Sequence, residues 1–229
     1  MILISGSWIP GEICTCQDDL MLSCTGLRKN FKNGKSLVFP DFELKAAEEL
    51  LILGPSGCGK TTLLNILAGL LKPDAGLMTF LGIDFLALSA SEMDHFRGKN
   101  IGLCLQKPVF IRALSVLDNL LLSQRLAGVD QNRSEAICLL KELNLESTAD
   151  QNTERLSAGE RQRLMFIRAL INHPKLILAD EPTSALDDYN AQVLIKMLKS
   201  HCVQHGAALI VVTHDQRVKS HFNQMIILS

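Results

Sequence analysis

At 229 residues, 47% of them apolar, the chain can bury a sizeable core as one large domain or two small ones. Its charged residues, 21% of the total, nearly cancel to a net charge of −1 and form no block of like sign, which argues against nucleic acid as the main partner. No apolar run reaches the ~18 residues of a membrane-spanning helix, and the opening MILISGSWIPGEIC lacks the basic start and clean apolar stretch of a secretion signal.

In chain order, residues 1–20 read as an N-terminal extension, with Met21 as an alternative start. Strand-like alternation begins at MLSCTGLRKNF. Leu50 to Leu53 form a short apolar run of buried-strand length, followed by a glycine-rich turn. Leu63, Leu64, Ile66, Leu67, Leu70 and Leu71 then recur at helical spacing. Within residues 77–105, LMTFLGIDF and NIGLCLQ read as strands, with a short helix near Ser91–Phe96 between them. Residues 116–146 carry helical stripes through Val116, Leu120, Ala127, Ala136, Leu139, Leu140 and Leu143, broken by the polar segment Gly128–Asn132. A helix starts near Gly159 and continues through LMFIRALIN. KLILADEPT is a buried strand ending in two carboxylates, NAQVLIKMLKSHCVQHG a helix closed by Gly206, and AALIVVTHD and QMIILS are two further strands. Apolar strands alternating with helices predict an α/β fold around a parallel sheet covered on both faces. The seven cysteines contain no CxxC pair, and an odd count fits free thiols in a reducing compartment better than a disulfide framework.

Gly54-Pro55-Ser56-Gly57-Cys58-Gly59-Lys60-Thr61 matches G-x-x-x-x-G-K-[ST] at every fixed position, between a strand and a helix. Glycines let backbone N–H groups turn inward around an anion, and the helix adds its positive N-terminal end. In such a loop Lys60 reaches the β- and γ-phosphates and the Thr61 hydroxyl ligates Mg²⁺. The strand Leu176-Ile177-Leu178-Ala179 delivers Asp180 to the mouth of the sheet, where it can hold Mg²⁺ through water. Glu181, one residue on, points elsewhere and can meet an attacking water, either accepting its proton or orienting it.

GPSGCGKTT, LSAGE, LILADEPT, SALD and VTHD, in that order, resemble the nucleotide-binding domain of ABC transporters over residues 21–228. The resemblance implies a P-loop NTPase of ABC type: a mostly parallel sheet core, an antiparallel β subdomain, and an inserted helical subdomain at about 107–165. It also implies ATP and Mg²⁺ as cofactors and a head-to-tail homodimer, in which Ser157, Gly159 and Glu160 of one copy face the γ-phosphate of ATP held by Lys60 of the other. By the same resemblance, Phe31 stacks on adenine and Thr62 joins the phosphate loop. Gln106 senses Mg²⁺, Asp187 lies at the dimer seam, and His214 hydrogen-bonds the γ-phosphate near Glu181.

The sequence departs from that pattern in places. Phe31 stands where tyrosine is commoner, and Ala158 and Glu160 replace a glycine and a glutamine, which implies weaker closure of the dimer rather than loss of activity. With no membrane span, translocation requires a separate permease, docking at Lys107–Asn119, where exposed Val109, Phe110 and Ile111 would suit an apolar socket. That places the subunit on the cytoplasmic face of the inner membrane. FRGKNIGLCLQ and ADEPTSALD look most like the bacterial ATPases of the lipoprotein-releasing and macrolide-export group, which implies export or extraction of a substrate. The alternative is a regulatory subunit of the cell-division ABC type, which signals across the membrane and transports nothing.

Overall fold

The computed structural model describes residues 20–32, 34–183 and 188–228, so Asp187 and nearly all of the N-terminal extension lie outside the described residues. In chain order the elements are β1 (Leu20–Asn30), β2 (Ser36–Val38), β3 (Phe42–Lys45), β4 (Glu49–Leu53), α1 (Lys60–Leu67), β5 (Ala75–Phe80), β6 (Ile83–Asp84), α2 (Ala90–Asn100) and β7 (Ile101–Cys104). They continue with α3 (Val116–Leu126), α4 (Arg133–Glu142), α5 (Ala158–Leu170), β8 (Leu176–Asp180), α6 (Asp188–His205), β9 (Ala208–Thr213) and β10 (Gln224–Ile227).

Two sheets organise the chain. β1 pairs antiparallel with β2, β3 and β5, and β5 with β6. The second sheet has the order β10-β4-β9-β8-β7, and every pairing in it is parallel. Its central strands are buried along their whole length, which is why they read as continuous apolar runs. Alternate residues serve opposite faces. Leu50, Ile52, Leu176, Leu178, Ile210 and Val212 join α1 and the antiparallel sheet in one core. Leu51, Leu53, Ile177, Ala179, Leu209 and Val211 pack against α5 and α6 in another. A third core lies among α3, α4 and α5, around Val116, Leu120, Leu140 and Leu164. Helix α5 belongs to two cores: Met165 and Phe166 face the parallel sheet, while Leu164 and Ile167 face α3 and α4.

Some boundaries differ from the sequence reading. Leu70 and Leu71 fall outside α1, because Gly69 takes φ 64° and both N–H groups turn back to the Asn65 carbonyl. Helix α2 runs well past Phe96; it starts on a capping box in which Ser89 accepts from the Glu92 N–H and Glu92 accepts from the Ser89 N–H. The Leu81–Gly82 turn splits LMTFLGIDF into a hairpin, both residues having positive φ.

Helix α5 approaches β7 at Gly102, where an added Cβ would lie 2.4 Å from the Ala169 carbonyl oxygen and 3.0 Å from Pro174 Cγ. Gly102→Ala therefore should push α5 off the sheet and destabilise the chain by about 1–3 kcal/mol, read from urea-denaturation midpoints against the parent.

Candidate active site

The phosphate loop leaves β4 at Leu53 and enters α1 at Lys60. Two of its glycines are required by crowding. A Cβ on Gly59, which has φ 108°, would sit 2.7 Å from Leu37 Cδ1, and one on Gly54 would sit 2.6 Å from the Leu228 carbonyl oxygen. The Lys60 ammonium is buried and donates to the Gly54 and Pro55 carbonyls at 2.8 and 3.0 Å, with Glu181 Oε1 4.0 Å away.

Across from it, the Thr61 hydroxyl donates to Asp180 Oδ2 at 3.0 Å. Burial pushes the Asp180 carboxyl above its ordinary range; the Thr61 bond opposes that shift and the neighbouring Glu181 charge adds to it. Glu181 leaves the strand with φ 50°, its N–H bonded to the Val212 carbonyl at 2.8 Å. This reversal aims its carboxylate back toward β9. One oxygen accepts from the Thr213 hydroxyl at 2.7 Å and the His214 N–H at 3.3 Å, and the other lies 2.8 Å from His214 Nδ1. A buried carboxylate so held, opposite a buried ammonium, is positioned for work on a water or a phosphate.

Further bonds brace this edge. Thr183 donates to Asp215 Oδ2 at 2.8 Å, and Arg217 binds both Asp215 and Asp188. Gln162, on α5, donates to the Pro182 carbonyl at 2.6 Å, tying that helix to the turn that carries Glu181.

A cleft of about 660 Å³ opens over these groups, lined by Phe31, Pro55, Ser56, Gly57, Gly59, Lys60, Thr61, Thr62, Glu181 and His214. Gly54, Cys58 and Asp180 lie behind that lining, Gly54 and Asp180 bonded to Lys60 and Thr61 respectively. Gln106 follows β7 but is exposed and does not line the cleft, so in this conformation it is not gathered with Thr61 and Asp180. Ser157, Gly159 and Glu160 also stand outside it. They form the N-terminus of α5, where a capping box joins Ser157 and Glu160: the Ser157 N–H donates to Glu160 Oε2 at 2.7 Å and the Glu160 N–H to Ser157 Oγ at 3.2 Å. One expectation is corrected: Phe110 is half-buried beneath the Arg168 guanidinium, 4.8 Å from its ring, because it packs against two cores, whereas Val109 and Ile111 are exposed.

The cleft also contains residues that no motif marked. Lys35 donates to the Gly57 carbonyl at 2.8 Å, and Leu37 packs on Gly59. Both come from β2 and its approach, three residues without a periodic signal. Thr213 was legible only as the neighbour of His214.

The family model for ABC transporters matches residues 40–184. The chain is 36% identical to the lipoprotein-releasing system ATP-binding protein LolD of Bacteroides thetaiotaomicron, covering 86% of this chain and 91% of that one. The chain belongs to the ABC transporter family. It is also 36% identical to the macrolide export ATP-binding/permease protein MacB of Rhodopirellula baltica, over 90% of this chain but 31% of that much longer protein. Among solved structures, the dimeric post-hydrolysis state of the ATP-binding cassette MJ0796, bound to ADP and Pi, superposes with a TM-score of 0.82 at 32% identity, covering 91% of this chain and 94% of that one. The P-loop fold of ABC type is thus present, with its parallel and antiparallel sheets, and the chain is an ATP-binding, ATP-hydrolysing subunit of this family. No helix of the described residues is long and apolar enough to cross a membrane.

The brace at Asp215 predicts a pH dependence. A side-chain hydrogen bond from Arg217, helped by the Thr183 hydroxyl and the Arg217 N–H, holds the Asp215 carboxyl down to about 2, against about 3.9 in an unfolded chain. A depressed folded pKa adds stability above the unfolded value, and that stability is lost as pH falls toward about 2. Asp215→Asn should therefore lower the urea midpoint at pH 7, with the gap from the parent closing in titrations between about pH 4 and 2.

Proposed function

We propose that two copies of this chain close head-to-tail around ATP and that hydrolysis drives export or extraction of a substrate through a separate membrane permease. The observation that carries this reading is a division of parts. Lys60, Glu181 and His214 share one cleft, while the donors at the start of α5 stand outside its lining. The dimeric MJ0796 cassette and the export- and release-related relatives support it.

In this arrangement Lys60 and the loop amides take the β- and γ-phosphates, and Phe31 stacks on the base. Glu181 orients the attacking water and His214 holds the γ-phosphate. The Ser157 hydroxyl and the first N–H groups of α5 meet the same phosphate from the partner copy. Mg²⁺ suits the donor set at Thr61 and Asp180, two hard oxygens 3.0 Å apart, and would neutralise charge between the terminal phosphates. Gln106 would join that set only after a movement of the segment after β7. Val109 and Ile111, exposed within Lys107–Asn119, form the docking surface for the permease, with half-buried Phe110 as its support. The subunit then works on the cytoplasmic face of the membrane, with residues 107–165 as the helical arm.

Glu181→Gln should lower ATP turnover by about 10²–10⁴-fold and, with Mg-ATP, convert the monomer to a species of twice its mass in light scattering. Retained turnover, or a monomer even with the permease present, would refute the assignment.

A further inference from the structure

Away from the nucleotide cleft, three histidine rings meet. His201 and His205 lie one turn apart on α6, and His173 reaches them from the turn between α5 and β8. Ring centroids are 4.2 Å apart for His201–His205 and 4.7 Å for His173–His205. One donor atom from each of the three lies within 4.8 Å of the others. Glu135 of α4 places Oε1 2.5 Å from His173 Nε2.

We propose that His173, His201 and His205 bind one divalent transition-metal ion of the zinc class, with Glu135 orienting His173. Ordinary packing leaves a loose end here: His201 Nε2 is buried and has no hydrogen-bond partner among the described residues. A metal would satisfy it. Two histidines at i and i+4 on one helix face are a recurring chelating pair for zinc. In a tetrahedral site with Zn–N of about 2.0–2.1 Å the nitrogens stand about 3.3 Å apart, so modest ring rotations close the set. With Glu135 at its Nε2, His173 would ligate through Nδ1, its tautomer fixed as by a carboxylate behind a metal-bound histidine. The side chain of His173 is half-exposed, leaving an entry path and a fourth position for water. Lys175 nearby opposes a cation, and Glu135 counters it. The ion would clasp α6 to the turn after α5 and, through Glu135, to α4, joining the third core to the parallel-sheet half of the fold.

The full chain, without an affinity tag, is titrated with Co²⁺ and then Zn²⁺. One Co²⁺ per chain should give the intense visible ligand-field bands of tetrahedral nitrogen coordination, bleached by Zn²⁺, and Zn²⁺ should raise the melting temperature. Glu135→Gln should weaken Co²⁺ binding by about 10–100-fold. The double variant H173N/H205Q should lose the bands and the thermal shift while keeping its ATP affinity; it spares buried His201, and its fold is checked by circular dichroism. Octahedral Co²⁺ at Thr61 and Asp180 absorbs only weakly and is separated by excess Mg-ATP. Absence of tetrahedral bands in the parent, or bands of equal strength in the double variant, would overturn the proposal.

Discussion

The parallel pairing of β4, β9 and β8 is the constraint on which the site depends. Register sets Leu53 opposite Thr213 and Asp180 opposite Val212, so three segments far apart in sequence end at the same edge of the sheet. The phosphate loop, the two carboxylates and the Thr213–His214 pair leave from that edge, which is where ligands sit in open parallel sheets. A slip of one residue in β8 would exchange its two faces and carry Asp180 away from Thr61. Burial of the strand on both sides prevents that slip, since each face is packed into a different core.

Helix α5 transmits between this edge and the rest of the molecule. Its first turn carries Ser157, its second carries Gln162 bonded to the Pro182 carbonyl, and its body packs into two cores. A displacement of the Ser157 turn therefore cannot leave the Glu181 loop untouched. The capping box also gives Glu160 a local task, since its carboxylate is turned back onto the Ser157 N–H and held below its ordinary range mainly by hydrogen bonds from Ser157.

Much of this was legible in the sequence. The continuous apolar runs of β4, β8 and β9 follow from two-sided burial, Lys60 and Glu181 from the phosphate loop and the carboxylate pair that follow strands, and His214 from the family resemblance. What escaped was set by tertiary contact. β2 and β3 are too short to show a period, so Lys35 and Leu37 gave no sign of reaching the loop. Phe110 reads as exposed between Val109 and Ile111, and only its packing against two cores and under Arg168 shows otherwise. The histidine cluster needed the fold as well, because His173 and α6 are joined by no motif.

Glu181 has one further property. Its backbone occupies the left-handed region that glycine takes freely and that other residues enter only at a cost of order 1 kcal/mol or more. The carboxylate thus sits on a peptide that would relax with no side chain at all. Backbone conformation alone would favour glycine here, whereas the Thr213, His214 and Lys60 partners and the proposed function all require the carboxylate, so opposite demands meet on a single residue.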